Sequence, residues 1–61
     1  MKSKFPFEHV VDCNTNKVWV TGVNSITAMG LNKLVNQYYP GYSANIATKD
    51  YFEKLKSQLA N

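Results

Sequence analysis

The sequence predicts a small α+β domain whose elements follow the order β-β-α-(β)-α. Two short runs of β-branched and aromatic residues flank an asparagine-rich turn, and two later stretches repeat their apolar residues with helical spacing. The chain has 61 residues, and chains of this length bury only about 60% of the surface exposed when unfolded. We therefore expect residues 1–61 to form one small domain, with residues 1–4 flexible.

A β-hairpin is predicted at the start of the domain. Residues 5–13 and 18–23 have strand character, because they are rich in valine and aromatic side chains. Between them, Asn14-Thr15-Asn16 suits a three-residue turn. Asparagine tolerates the left-handed region better than other residues with a side chain, so Asn16 is expected to have a positive φ.

The register of this hairpin determines which face is buried. A three-residue turn pairs Val11 with Trp19 and Phe7 with Val23 on one face, and a shift by one residue would exchange the two faces. We expect the four larger side chains to face the core, since they offer more apolar area. The other face then leaves an aliphatic patch outside, formed by Val10, Val18 and Val20.

Two amphipathic helices are predicted after the hairpin. The first covers residues 26–39, with Asn24-Ser25 as its N-cap and Pro40-Gly41 as its end. Its apolar stripe consists of residues 28, 31, 34, 35 and 38.

Residues 42–47 fit either a loop or a short third strand, and we favour the strand. Thr48 then caps a second helix over residues 49–60. That helix presents Phe52, Leu55 and Leu59 on one face.

Composition and charge exclude several classes of protein. The chain has seven lysines, no arginine and four acidic residues, which gives a formal net charge of +3. No apolar run approaches the ~20 residues of a membrane span, and no secretory signal is visible, so we expect a cytoplasmic protein without membrane contact. Cys13 alone cannot form an internal disulfide. Abundant lysine and asparagine are typical of A/T-rich genomes, which favours a bacteriophage or mobile-element origin.

No arrangement of side chains in the sequence indicates catalysis, a metal site or a cofactor. His9 and Cys13 are four residues apart on one strand, roughly 13 Å, which is too far for a shared metal ion or a nucleophile–base pair. Glu8 and Asp12 have the same separation. We expect a non-enzymatic protein with no cofactor, in which His9 is half-buried and Cys13 is a small core residue.

The sequence favours a binding or regulatory module that binds a larger host or cellular protein or associates with itself. The candidate contact residues are the three outer valines and a tyrosine cluster around the Pro40-Gly41 turn: Tyr38, Tyr39 and Tyr42. These tyrosines fit an interaction surface, and they fit equally well as side chains that close the core.

The alternative function is a weak, sequence-tolerant nucleic-acid-binding module. Its candidate contacts are Lys17, Lys49, Lys54 and Lys56. Binding of this kind requires several phosphate contacts. Because the lysines are spread along the chain, a solvated surface is the favoured interpretation.

Overall fold

The structure, a computed structural model, describes residues 5–23 and 26–60. Its elements are β1 (Glu8–Asp12), β2 (Lys17–Thr21), α1 (Ala28–Tyr38), β3 (Ser43–Ile46) and α2 (Lys49–Ala60). β2 is the central strand, antiparallel to β1 and parallel to β3. The predicted α+β class and the third strand are confirmed. Residues 1–4, expected to be flexible, lie outside the described residues.

The two helices lie on opposite faces of the sheet. His9 Nε2 is 2.6 Å from the hydroxyl of Tyr39, at the end of α1. Its strand neighbour Glu8 forms an ion pair of 3.0 Å with Lys56 of α2. Since successive residues of a strand point to opposite faces, the sheet is enclosed between α1 and α2.

Both faces of the central strand are therefore covered. On the α1 side, Val18 and Val20 are fully buried and pack with Leu31, Val35 and Phe5. On the α2 side, Trp19 contacts Tyr51 edge to face, with ring centroids 5.6 Å apart. Phe52 is fully buried and Leu55 nearly so.

The hairpin register differs from the expected one by a single residue. Asp12 pairs with Lys17, so the turn comprises the four residues 13–16. The carboxylate of Asp12 accepts a hydrogen bond of 3.1 Å from the amide of Asn14. Such a bond is typical of an aspartate that begins a turn. Asn16 has a φ of 56°, which confirms its predicted left-handed conformation.

This register reverses the predicted face of β2, while Phe7, Val11 and Val23 pack against the core as expected. Val18 and Val20 have no exposed surface, so the prediction of an outer aliphatic patch is wrong. Val11 pairs with Val18 and packs against the α1 core, whereas Trp19 and its partner Val10 belong to the α2 side. A shift by one residue moves each side chain of a strand to the other face. The prediction also left one face open, while the two helices cover both.

The turn conformation leads to a first prediction. Asn16→Gly is expected to be neutral or stabilising, because glycine adopts a positive φ without strain. Asn16→Val is expected to cost about 1 kcal/mol or more, since a β-branched residue is strained there. Thermal melts of both variants measure the difference. Equal melting temperatures for the two would contradict the left-handed turn.

The helix limits agree closely with the predicted ones. α1 begins two residues later than predicted, and its N-cap is Thr27, whose hydroxyl accepts a hydrogen bond of 3.1 Å from the amide of Gly30. The predicted cap, Asn24-Ser25, lies outside the described residues. α2 has the predicted limits, and the hydroxyl of Thr48 accepts a hydrogen bond of 3.3 Å from the amide of Tyr51.

Candidate binding surface

β3 lies at one edge of the sheet, and side chains of α1 cover the first half of its outer side. Asn32 Oδ1 accepts a hydrogen bond of 2.8 Å from the amide of Ala44. Asn36 Nδ2 donates a bond of 3.1 Å to the carbonyl oxygen of Tyr42. Because residues four apart share one helix face, both amide side chains reach the strand. They take the place of a neighbouring strand along residues 42–44.

The second half of this edge has no such cover. The amides of Ser43 and Ala47 point toward β2 and donate to the carbonyl oxygens of Asn16 and Val20. Backbone groups alternate along a strand, so Ile46 points outward, as Ala44 does. Within residues 5–23 and 26–60, nothing pairs with the amide of Ile46 or the carbonyl oxygen of Ala44.

The hydrogen bond between Asn32 and the amide of Ala44 is expected to contribute to the free energy of unfolding as well as to cover the edge of β3. Asn32→Ala removes the acceptor for the Ala44 amide and should lower the free energy of unfolding by about 1 kcal/mol. Asn32→Asp is the matched control, because it retains an acceptor oxygen. Urea unfolding and amide exchange at Ala44 measure both effects. If the alanine variant shows no faster exchange at Ala44, the hydrogen bond does not persist in solution.

An apolar groove opens beside the uncovered half of the strand. Its volume is about 190 Å³, and the residues that line it come from α1 and β3: Ala28, Leu31, Ala44, Asn45 and Ile46. The side chain of Ile46 is 51% exposed, and Met29, next to Ala28 in α1, is 75% exposed. The open backbone groups of β3 and the exposed side chain of Ile46 therefore occur beside the groove.

Charge is distributed unevenly between the two edges of the sheet. Glu8 and Asp12 belong to β1, the opposite edge strand. Lys56 lies 3.0 Å from Glu8 and 3.9 Å from Glu53. By contrast, α1 and β3 together contain a single charged residue, Lys33. The residues that line the groove are all uncharged.

The Glu8–Lys56 ion pair predicts a pH-dependent contribution to stability. The hydrogen bond and the charge of Lys56 lower the pKa of Glu8 below its ordinary value. A lowered folded-state pKa stabilises the protein above the unfolded pKa, and this stabilisation is lost as pH falls through the folded pKa. In NMR titrations, Lys56→Met should raise the pKa of Glu8 and Lys54→Met should leave it unchanged. An unchanged pKa in the Lys56 variant would contradict the ion pair.

The three predicted tyrosines contribute to the wall of the core. Tyr38 and Tyr39 both contact the buried ring of Phe5, with centroid distances of 5.4 and 6.1 Å. Tyr42 lies 6.1 Å from Tyr39, and all three are half-buried against the α1 core. The charge that Cys13 acquires on ionisation raises the pKa of Tyr42, and burial adds to this effect. These contacts fit the core-closing alternative; a binding role remains a prediction.

The four predicted lysines are not gathered at one place. Lys17 pairs across the hairpin with Asp12, at the opposite end of β1 from Glu8. Lys56 is partly neutralised by its acidic neighbours. Lys49 and Lys56 are seven residues apart in α2, about two helical turns, so they lie on the same side of that helix. Lys17 is therefore separated from Lys56 of α2 by the length of β1, and the four lysines do not form one anion-binding surface.

His9 and Cys13, the two residues considered for catalysis or metal binding, lie in different surroundings: His9 packs against Phe5, and Cys13 lies in the hairpin turn. His9 is half-buried, as predicted, and its Nδ1 lies 3.2 Å from the carbonyl oxygen of Phe7. Cys13 is exposed in the turn, so its predicted burial is wrong. Among the described residues, no three histidine, cysteine, aspartate or glutamate side chains are close enough to hold a metal ion. In the same part of the chain, no helix combines the length and apolarity needed to cross a membrane.

Comparison with known proteins finds no similar protein. No protein-family model matches the sequence, and neither a curated protein nor a solved structure shows significant similarity to it.

Proposed function

We propose that this protein is a non-enzymatic binding module that binds a larger protein through the open half of the β3 edge. The observation that carries the proposal is the coincidence of three features at Ile46: an exposed aliphatic side chain, an outward amide that no group in residues 5–23 and 26–60 pairs with, and the adjoining groove. Natural proteins usually protect exposed strand edges with charge, proline or a covering element. Within the described part of the chain, that protection stops at Ala44.

Charge favours a protein partner over nucleic acid. Phosphate-dominated binding needs several cationic contacts to persist at physiological salt. None of the five residues that line the groove is cationic, and Lys56 is engaged by two carboxylates. An apolar groove bordered by an exposed aliphatic side chain, here Ile46, is typical of a protein-binding surface.

A comparison of surface variants tests this function. Immobilised wild-type protein, a Met29→Lys and Ile46→Lys double variant, and a Leu59→Lys control are incubated with extract of the source organism. Leu59 is 39% exposed on α2, so the control adds a positive charge away from the groove. We expect mass spectrometry to identify proteins retained by the wild type and the control but lost from the double variant. Identical sets from all three would contradict the proposed surface.

A salt titration with mixed-sequence DNA tests the alternative function. We expect no binding at physiological salt. Binding whose logarithm falls steeply and linearly with the logarithm of salt concentration would instead show a phosphate-dominated contact. If that binding were also lost on replacement of the α2 lysines by methionine, the protein-binding proposal would be replaced by the nucleic-acid one.

A further inference from the structure

We infer that the β3 edge takes up an extended segment of a partner protein by strand addition, and that the segment carries an aliphatic side chain for the groove and acidic residues beside it. This inference rests on the proposed function and specifies its partner. Strand addition is a common mode of peptide recognition, in which main-chain hydrogen bonds provide affinity and pockets for alternate side chains provide specificity.

The backbone defines where such a segment can pair. Two outward backbone groups already have hydrogen-bond partners: the amide of Ala44 donates to Asn32, and the carbonyl oxygen of Tyr42 accepts from Asn36. Among the residues that the structure describes, nothing bonds the carbonyl oxygen of Ala44 or the amide of Ile46, and these two groups flank Asn45. One partner residue opposite Asn45 in a parallel segment would bond both groups. The pairing is therefore confined to the C-terminal half of β3.

The groove defines the side chain that the segment needs. Its volume of about 190 Å³ equals the space of about six water molecules at ~30 Å³ each, enough for one aliphatic side chain. Ala44 and Ile46 pair with Val18 and Val20 of the core, which places them on the α1 face of the sheet. A side chain on that face of the added strand would enter the groove between α1 and β3.

The electrostatics around the groove indicate which residues should flank the aliphatic side chain of the partner segment. None of the five residues that line the groove is acidic, and the first turn of α1 contains no acidic residue. Ala28, the first residue of α1, lines the groove, so the positive end of the helix dipole lies beside it. Anionic side chains are favoured at such a position, and the net charge of +3 attracts an acidic segment at long range.

The same considerations argue against a second copy as the occupant. A second copy presents an edge that its own Asn32 and Asn36 already cover along residues 42–44. Two such edges could pair only along the C-terminal half of each β3, and both copies carry a formal net charge of +3. Stable interfaces usually bury more than about 1,000 Å², which so short a contact between like-charged domains does not favour.

A peptide selection followed by NMR tests the inference. Short random-sequence peptides displayed on phage are selected against the full chain, and we expect enriched peptides to alternate aliphatic and acidic residues. On saturation with a selected synthetic peptide, amide exchange at Ile46 should slow by roughly tenfold or more, as a new hydrogen bond predicts. Ile46→Pro removes this amide at an edge position that tolerates proline, and should weaken peptide binding roughly tenfold. Ile46→Val is the matched control and should bind within about threefold of wild type.

The outcomes separate failure of strand addition from failure of the proposed function. Unchanged exchange at Ile46, together with shifted resonances at Tyr38 and Tyr42, would place the peptide on the tyrosines and overturn strand addition alone. Slowed exchange at Ile46 with rising protein concentration and no peptide would make a second copy the occupant. If no peptide is enriched and only DNA binds, both the inference and the proposed function are overturned.

Discussion

Replacement of Val18 by glutamate and Val20 by lysine is expected to unfold the protein. Both valines have no exposed surface and lie on the central strand against the α1 core. Each buried charge costs several kcal/mol after relaxation. A domain of 61 residues has a total stability of roughly 3–9 kcal/mol at 0.05–0.15 kcal/mol per residue. The combined cost of burying the two charges therefore equals or exceeds the free energy of unfolding.

Circular dichroism and a thermal melt measure this effect. We expect the double variant to lose its cooperative transition. The matched control places the same two charges at exposed apolar positions, Met29→Glu with Ile46→Lys, where the side chains are 75% and 51% exposed. The control should melt cooperatively near the wild-type temperature. A folded Val18/Val20 variant would mean that the hairpin has the other register and that these valines face solvent.

Replacement of Phe52 by alanine is expected to have the second largest effect. Phe52 is fully buried and anchors α2 on the sheet face that carries Trp19. Truncation of a buried phenylalanine costs about 3–5 kcal/mol, because apolar contacts are lost and a cavity remains. This loss is comparable to the whole stability of a domain of this size, so a large unfolded fraction is expected at room temperature.

Urea unfolding monitored by tryptophan fluorescence measures the loss, since Trp19 contacts α2 through Tyr51. Leu59→Ala is the control on the same helix, because Leu59 is 39% exposed and its truncation removes less buried area. We expect its effect to be clearly smaller than that of Phe52→Ala. Equal stability of the Phe52 variant and wild type would show that α2 contributes little to the folded core.

The candidate site was only partly predictable from the sequence. The predicted outer patch depends on the hairpin register, and with the observed register Val18 and Val20 are buried. The exposure of Met29 and Ile46 does not follow from the sequence, because each stands in an element whose exposed side depends on packing. Asn32 and Asn36 provide a sequence signal for the covered edge, because two amide side chains one turn apart on a helix can bond an exposed strand edge.

The secondary-structure elements follow from local signals in the sequence. Asn16 has the positive φ that its side chain tolerates, and Thr48 caps α2 at the predicted residue. The apolar spacing over residues 28–38 and 49–60 matches α1 and α2. These features depend on interactions among residues a few positions apart, so they can be derived without knowledge of the rest of the chain.

Tertiary structure decided which face of each strand is buried and which part of the β3 edge stays open. The hydrogen bond of Asp12 to Asn14 fits a four-residue turn, and a shift of one residue exchanges faces because strand side chains alternate with a period of two. Coverage of both faces depends on where α1 and α2 pack. The cover by Asn32 joins residues 12 positions apart, and contacts of this range depend on the fold as a whole rather than on local preference.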